Sequence, residues 1–142
     1  MRPDFMIFDF DGVLVDSECI ANRIEAEFKT SLGFPTTLHE QIRRFTGLGR
    51  HHPEVKAELD RLPPDYWSLV EEKIRAAYRS ELKPFPGVFE LLSDLPQPRC
   101  VASNSDPHSL AFKLKLTGLD RFFPHAFSGE EVPHGKPAPD LF

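Results

Sequence analysis

Two aspartates separated by a single residue are the first candidates for chemistry in this sequence. Asp9 and Asp11 follow a short apolar run, and Gly12 comes directly after them. Side chains two positions apart in an extended chain point to the same side, so both carboxylates can reach one ion or one substrate. Because two like charges this close repel unless a cation compensates, the pair indicates Mg²⁺ binding or an acid role. One carboxylate could act as a nucleophile and the other as a proton donor and acceptor.

A second candidate group contains hydroxyl and amide donors. Ser103 and Asn104 follow an apolar triplet, and Asp106 and Pro107 come just after them. The unpaired N–H groups of a helix N-terminus, together with such donors, suit an anion such as phosphate. A plain helix cap is the alternative interpretation of this segment.

The third candidate is a lysine with a restricted backbone. Lys136 stands between Gly135 and Pro137, and proline limits the conformation of the residue before it. This restriction suits a fixed positive charge, whereas a solvated surface lysine is the alternative. Because the three groups come in order at the ends of successive predicted strands, together they predict one anion-binding site.

Three short apolar segments predict the strands that would position these groups. They are residues 5–8, 100–102 and 126–128, and the first has the unbroken apolar character of a strand buried on both faces. Helical patterns separate the strands, which predicts parallel βαβ units with right-handed crossovers. Ligands bind where the carboxyl ends of such strands meet. We therefore expect an α/β fold with a Rossmann-like parallel sheet core.

A helical block interrupts this alternation after the first strand. Asp16 and Ser17 are good N-cap candidates, and Gly33 is placed to end the helix that they begin. The segment Lys83–Gly87 ends the block, because its two prolines remove backbone donors. These patterns predict a helical cap domain over residues 16–83, inserted into a core formed by residues 1–15 and 84–142. The apolar positions of the four predicted cap helices are Ile20, Ile24, Phe28 and Leu32; Leu38, Ile42 and Phe45; Val55, Leu59 and Leu62; and Tyr66, Val70, Ile74 and Ala77.

One predicted helix of the core begins just after the second strand. Asp106 followed by Pro107 is typical of a helix start, and Gly118 of a helix end. Leu110 and Leu114 provide its apolar face.

Composition excludes several classes of function. The 142 residues include 17 basic and 22 acidic side chains, for a net charge of −5, so no basic field is available for nucleic acid or an anionic membrane. The longest apolar runs, Phe5–Phe8 and Val13–Val15, are far shorter than the roughly 18 residues of a membrane span. Cys19 and Cys100 cannot form a multi-bridge framework. We therefore expect a cytoplasmic protein, a monomer or a homodimer, with neither nucleic acid nor membrane as a partner.

The candidate segments resemble the motifs of one enzyme superfamily. The segment Asp9–Glu18, Asp-Phe-Asp-Gly-Val-Leu-Val-Asp-Ser-Glu, resembles the first motif of the haloacid dehalogenase superfamily throughout. Ser103 resembles the hydroxyl of its second motif, and Gly135–Asp140, which includes Lys136, resembles its third. The chain is most similar to the branch of capped phosphatases and β-phosphoglucomutase-like enzymes, in which a helical cap is inserted after the first strand.

The resemblance implies a role for each motif residue. Asp9 would be the nucleophile that takes a phosphoryl group, and Asp11 the general acid for the leaving oxygen and then the base for water. Mg²⁺ would lie against the Asp9 carboxylate and the backbone carbonyl of Asp11. Ser103 and Lys136 would hold the phosphoryl oxygens, with Lys136 also the cation nearest to Asp9.

Four further residues are expected to contact the substrate. The backbone amides near Gly12 and at Asn104 would complete the donors around the phosphoryl group. In the cap, Arg50 lies in a loop that resembles one facing the active site in related enzymes, although a surface arginine is an equally good interpretation. Glu18 belongs to the first motif, but it could serve only the cap helix.

The implied function is a Mg²⁺-dependent phosphatase that hydrolyses a small phosphorylated metabolite, such as a sugar phosphate, through an aspartyl-phosphate intermediate. Asp11 favours phosphate esters, since dehalogenases of the superfamily lack an acidic residue there. A sugar-phosphate mutase is one alternative, although Ala21 stands near the position where that branch has a histidine. A truncated, non-catalytic binding protein of the same fold is the other.

The sequence departs from the family pattern after the third motif. A fourth motif, an acidic pair or triplet that completes the Mg²⁺ shell, is expected well beyond Lys136, but Phe142 is the last residue. We therefore expect an incomplete core, and a fragment of a longer enzyme is the first explanation. A natural truncated relative and completion by another chain are the alternatives.

Overall fold

Three short parallel strands form the sheet of this α/β fold. In the computed structural model, which describes residues 3–48 and 52–142, the strands are β1 (Met6–Phe8), β2 (Arg99–Ser103) and β3 (Ala126–Ser128). Their order is β1-β2-β3, and Ile7 lies opposite Cys100 while Ala102 lies opposite Phe127. The parallel α/β arrangement predicted from the alternation of elements is therefore confirmed.

Six α-helices accompany the strands within the described residues. They are α1 (Ser17–Ser31), α2 (Leu38–Phe45), α3 (Pro53–Leu59), α4 (Tyr66–Glu81), α5 (Val88–Asp94) and α6 (Pro107–Thr117). The chain divides into two compact units, one formed by Met1–Asp16 with Leu82–Phe142 and the other by Ser17–Glu81. The first unit holds the sheet with α5 and α6, and the second holds α1 to α4. None of the described helices has the length and apolar character needed to cross a bilayer.

The prediction that the first strand is buried on both faces is wrong. The Ile7 side chain is 47% exposed and Phe5 is exposed as well. Among the described strands β1 pairs only with β2, so it lies at an edge of the sheet. The buried strand is instead β2, at the centre of the sheet, in which residues 100–103 are all buried.

Helix α6 begins and ends where the sequence predicts. The Asp106 side chain accepts a hydrogen bond from the backbone N–H of Ser109 at 2.9 Å, Pro107 occupies the first turn, and Gly118 ends the helix with a φ of 68°. Its buried face is less apolar than predicted, because Lys113 and Thr117 are buried beside the two leucines.

The helical unit packs around an aromatic core. Helix α1 packs against α4 and α2, and the Phe28 ring stacks on Tyr66 with 5.4 Å between centroids. Tyr66 and Val70 are fully buried. Helix α2 departs from the predicted apolar pattern, because Leu38 and Ile42 are exposed while Gln41 is buried. The side-chain amide of Gln41 forms hydrogen bonds with side chains of α1.

Candidate active site

Asp9 and Lys136 form an ion pair at the carboxyl end of β1. The Lys136 Nζ lies 2.8 Å from Asp9 Oδ1 and donates to the backbone carbonyl of Ala102 at 3.0 Å. Asp9 Oδ1 also accepts a hydrogen bond from the backbone N–H of Phe10 at 2.7 Å. The Asp9 side chain is nevertheless 44% exposed and that of Lys136 20% exposed. A carboxylate held by a cation is thus open to an incoming molecule.

The side-chain amide of Asn104 fixes the backbone of Lys136. Asn104 Oδ1 accepts from the backbone N–H of Lys136 at 2.8 Å, and Asn104 Nδ2 donates to the Lys136 carbonyl at 2.9 Å. The peptide bond between Lys136 and Pro137 is cis. Asn104 therefore positions the lysine, a role that no local pattern in the sequence indicates.

Two glycines make room for this amide. A Cβ atom on Gly129 would lie 2.6 Å from Asn104 Oδ1, and one on Gly135 would lie 2.7 Å from it. Both distances are shorter than side-chain carbon atoms tolerate, so any larger residue would displace Asn104.

Both carboxylate oxygens of Asp11 accept hydrogen bonds from side chains. Asp11 Oδ2 accepts from Ser103 Oγ at 2.9 Å and from Ser105 Oγ at 2.7 Å, and Asp11 Oδ1 accepts from the Lys113 ammonium. Lys113 Nζ also donates to Ser105 Oγ at 2.8 Å. The Lys113 side chain is only 3% exposed and that of Asp11 15% exposed. Ser103, Ser105 and Lys113 thus hold the Asp11 carboxylate at both of its oxygens.

The hydroxyls around Asp11 are fixed by the loop after β2. Ser103 Oγ accepts from the backbone N–H of Ser105 at 3.0 Å, and Ser128 Oγ, at the end of β3, donates to the Ser105 carbonyl at 2.7 Å. Ser103 and Ser128 are both buried. The carboxyl ends of β2 and β3 thus supply a rigid polar edge.

A tight turn follows Asp11 and depends on glycine. Gly12 has a φ of 73°, in the left-handed region where a Cβ is unfavourable. Its N–H donates to the Val15 carbonyl at 2.8 Å, and Leu14 N–H donates to the Phe10 carbonyl at 2.9 Å. Phe10 is completely buried and anchors the turn.

The structure brings together the motif residues of the sheet unit. Lys136 contacts Asp9, Ser103 contacts Asp11, and Asn104 contacts Lys136. Glu18 belongs to α1 in the helical unit, and Arg50 lies outside the described residues. The functional roles assigned to all of these residues stay predictions.

Ser105 and Lys113 were missed in the sequence. Lys113 lies between the buried Leu110 and Thr117 at helical spacing, so a lysine in an otherwise buried stripe was the signal that a partner carboxylate existed. The contacts of Ser105 and Lys113 span 94 and 102 residues, and no local pattern indicates them. Cys100 in β2 is buried, and this burial raises the pKa of its thiol.

The oxygen donors present suit a magnesium ion better than a transition metal. The described residues contain no cluster of three or more His, Cys, Asp or Glu side chains, and Mg²⁺ needs only one or two carboxylates beside water and phosphate oxygens. Because both Asp11 carboxylate oxygens already accept hydrogen bonds, the more exposed Asp9 carboxylate is the one of the two that is open to such an ion.

Comparisons with known proteins match nearly the whole chain to one family of hydrolases. The family description "haloacid dehalogenase-like hydrolase" matches residues 4–142. The chain is 27% identical over 145 residues to 6-phosphogluconate phosphatase of Escherichia coli K12, covering 99% of this chain and 66% of the relative. It is 31% identical over 145 residues to hexitol phosphatase B of the same strain, covering 96% and 65%.

A solved structure has the same fold. A conserved haloacid dehalogenase-like protein from Agrobacterium tumefaciens is 35% identical with a TM-score of 0.79, over 98% of this chain and 65% of that one. The chain thus spans just under two thirds of the length of these relatives.

Proposed function

Because this chain belongs to the haloacid dehalogenase-like hydrolases, we propose that it acts as a Mg²⁺-dependent phosphatase on small phosphorylated metabolites such as sugar phosphates. The observation that carries the proposal is the ion pair between the exposed Asp9 carboxylate and Lys136 at the end of β1, with Asp11 two residues away. A nucleophile, a cation and a proton carrier are the parts that phosphoryl transfer through a covalent intermediate requires.

In the first step Asp9 attacks phosphorus. Within the described ranges its contacts with Phe10 and Lys136 fall on Oδ1, so Oδ2 is the oxygen that would form the new bond. The ester P–O bond breaks, and Asp11 gives a proton to the leaving oxygen. The products are an alcohol and an aspartyl phosphate.

In the second step water attacks the phosphorus of the aspartyl phosphate. Asp11, now ionised, accepts a proton from that water, the bond to Asp9 breaks, and inorganic phosphate leaves. Asp11 is then protonated and Asp9 ionised, as at the start.

Two groups would bind the phosphoryl oxygens during both steps. They are the Lys136 ammonium, which contacts Asp9, and the Ser103 hydroxyl, which contacts Asp11. The Gly12 N–H, by contrast, donates to the Val15 carbonyl within its own turn. A Mg²⁺ ion held by the Asp9 carboxylate and the Asp11 carbonyl would supply charge neutralisation between nucleophile and phosphate.

The substrate class is supported by the named relatives. One is named as a phosphatase of 6-phosphogluconate and the other as a hexitol phosphatase. Phosphate esters of sugar derivatives are therefore the first compounds to test with this protein.

The test is release of inorganic phosphate from a panel of sugar phosphates, sugar-acid phosphates and polyol phosphates, with Mg²⁺ and with EDTA. We expect release that requires Mg²⁺ and that Asp9→Asn lowers by at least about a thousandfold, because the amide is not a nucleophile. Asp94→Asn is the matched control, since Asp94 is an exposed carboxylate of the same unit.

Three results would contradict the proposal. Phosphate release that survives Asp9→Asn would exclude Asp9 as the nucleophile. Conversion of one sugar phosphate into an isomer without free phosphate would indicate a mutase, and Mg²⁺-independent binding without turnover would indicate a binding protein.

A further inference from the structure

We propose that Lys113 is a positioning residue, which fixes the carboxylate of Asp11 in the orientation needed for proton transfer. The inference rests on the proposed function only in assigning proton transfer to Asp11. Its structural part concerns a buried ammonium group on α6 and the carboxylate that it contacts.

The burial of Lys113 requires a counter-charge. Its side chain is 3% exposed, and an ammonium group removed from water is costly unless it is paired and hydrogen-bonded. Lys113 Nζ donates to Asp11 Oδ1 and to Ser105 Oγ, and it lies 5.7 Å from the centroid of the Phe10 ring. Asp11 supplies this counter-charge in its ionised form, which is the form that accepts a proton from water in the second step of the proposed reaction.

The donors described for Asp11 fall on different oxygens. Ser103 and Ser105 both donate to Oδ2, whereas Lys113 donates to Oδ1. The bond from Lys113 therefore holds the carboxylate at its second oxygen as well. A carboxylate that must meet first a leaving oxygen and then a water gains rate from such a fixed orientation.

The position of Lys113 is itself well defined. It lies in the second half of α6, between Leu110 and Leu114, both buried. The helix is capped by Asp106 at its N-terminus and ended by Gly118. Lys113 also contacts Ser105, which makes the lysine and the loop after β2 one unit.

A purely structural ion pair is the competing explanation, and a double-mutant cycle separates the two. The variants are Lys113→Met, Asp11→Asn and their combination, with Lys113→Gln as a second variant that keeps a donor in case Lys113→Met does not fold. Lys29→Met is the matched control, because Lys29 is an equally buried lysine in the helical unit. Activity is measured as kcat and KM with the best phosphate ester in Mg²⁺, and stability by thermal unfolding.

We expect Lys113→Met to lower kcat by about tenfold to a hundredfold, a part of what general acid–base catalysis contributes, with KM within about twofold. In the Asp11→Asn background the same substitution should lower kcat no further, because Lys113 acts through Asp11. Lys29→Met should leave kcat of the folded protein unchanged.

The proposal is overturned if Lys113→Met lowers kcat by the same factor with and without the Asp11 carboxylate, or if both Lys113 variants retain wild-type kcat.

The unfolding temperatures test the contact between Lys113 and Asp11 without any measurement of turnover. Asp11→Asn alone leaves the buried ammonium without its anion, so adding Lys113→Met should restore part of the lost stability. If wild-type protein releases no phosphate, the proposed function fails, and the absence of this restoration would then exclude the positioning contact as well.

Discussion

Two buried lysines, one in each unit, form ion pairs that look alike in isolation. Lys113 contacts Asp11 in the sheet unit, and Lys29 contacts Glu58 at 3.3 Å in the helical unit. Each lysine side chain is 3% exposed, and each lies near an aromatic ring, Lys29 at 4.5 Å from the centroid of Phe45. By burial and pairing alone, neither would be recognised as more important to function.

The surroundings of the two lysines differ. Lys113 contacts residues of loops that follow strands, and Asp11 lies two positions from the exposed Asp9. Lys29 contacts side chains of helices: it donates to Gln41 on α2 at 2.9 Å and to Glu58 on α3. A buried lysine is therefore no evidence of an active site by itself, and its position at the strand ends is what distinguishes Lys113.

Electrostatics distinguish the carboxylates of the helical network. Burial acts to raise the pKa of Glu58, but Lys29 and Arg44 together hold it below its ordinary value. Burial raises the pKa of Glu25, which the charge of Lys29 and a 2.7 Å hydrogen bond from Gln41 only partly offset. Ionised Glu58 thus stabilises the folded state, whereas ionisation of Glu25 destabilises it.

The largest expected effect tests whether the helical network has a purely structural role. Lys29→Met leaves Glu58 and Glu25 without their buried cation, so we expect the free energy of unfolding to fall by about 3 kcal/mol. Urea unfolding monitored by circular dichroism measures the loss, and kcat for phosphate release should be unchanged in the folded protein. A kcat reduced as much as in Lys113→Met would remove the distinction between the two lysines.

A glycine substitution tests how tightly the sheet unit holds its lysine. In Gly135→Ala the new Cβ would lie 2.7 Å from Asn104 Oδ1, so Asn104 must move and release Lys136. We expect a loss of about 1–3 kcal/mol in stability and a fall in kcat. In Asn104→Ala, where the obstructing oxygen is absent, adding Gly135→Ala should cost little. Equal costs in both backgrounds would exclude this explanation.

The pH dependence of stability tests the charge balance of the helical network. Because the folded-state pKa of Glu25 is raised above its ordinary value of 4.5, the folded state keeps a proton that the unfolded state has lost. Stability from this group therefore falls as pH rises from the ordinary value through the raised pKa, and stays low above it. We expect Glu25→Gln to remove that fall and to be more stable than wild type at pH 7, measured by thermal unfolding across pH.

The control for this prediction is Glu27→Gln on the same helix, where the carboxylate is exposed and pairs only at the surface with Arg23. It should reproduce the wild-type pH dependence. If Glu25→Gln does so too, the burial of Glu25 does not affect stability.

The smallest effects compare helix caps in the two units. Thr37 Oγ1 accepts from Glu40 N–H at 3.2 Å at the start of α2, and Asp106 caps α6 in the same way. Thr37→Ala and Asp106→Ala should each lower the free energy of unfolding by about 1 kcal/mol. Only Asp106→Ala should also lower kcat, because α6 carries Lys113. Unchanged kcat in both variants would mean that α6 keeps Lys113 in place without its cap.

Much of the sheet unit could be predicted from local sequence. The strands observed at Arg99–Ser103 and Ala126–Ser128 match the predicted segments 100–102 and 126–128 within two residues, because short apolar runs between polar turns have few alternatives. Helix α6 was also predicted from its cap and its final glycine. The burial of β1 was not, because the exposure of a strand depends on its neighbours in the sheet.

The candidate site was only partly predictable, because contacts between distant parts of the chain leave no local pattern in the sequence. Asp9, Asp11, Ser103 and Lys136 could be named because they directly follow predicted strands or lie in a restrained turn. Nothing in the sequence indicated that Asn104 would position Lys136, since that contact joins residues 32 positions apart.

The sequence by itself determined the elements and the reactive groups, because helix periodicity, turn residues and closely spaced carboxylates are local properties. The motif resemblance already implied that Lys136 is the cation nearest to Asp9, but only the tertiary structure decided that Lys113 meets Asp11. A lysine side chain can pair with any carboxylate that the fold brings within reach. The packing of α6 and the parallel pairing of three strands select one partner for each.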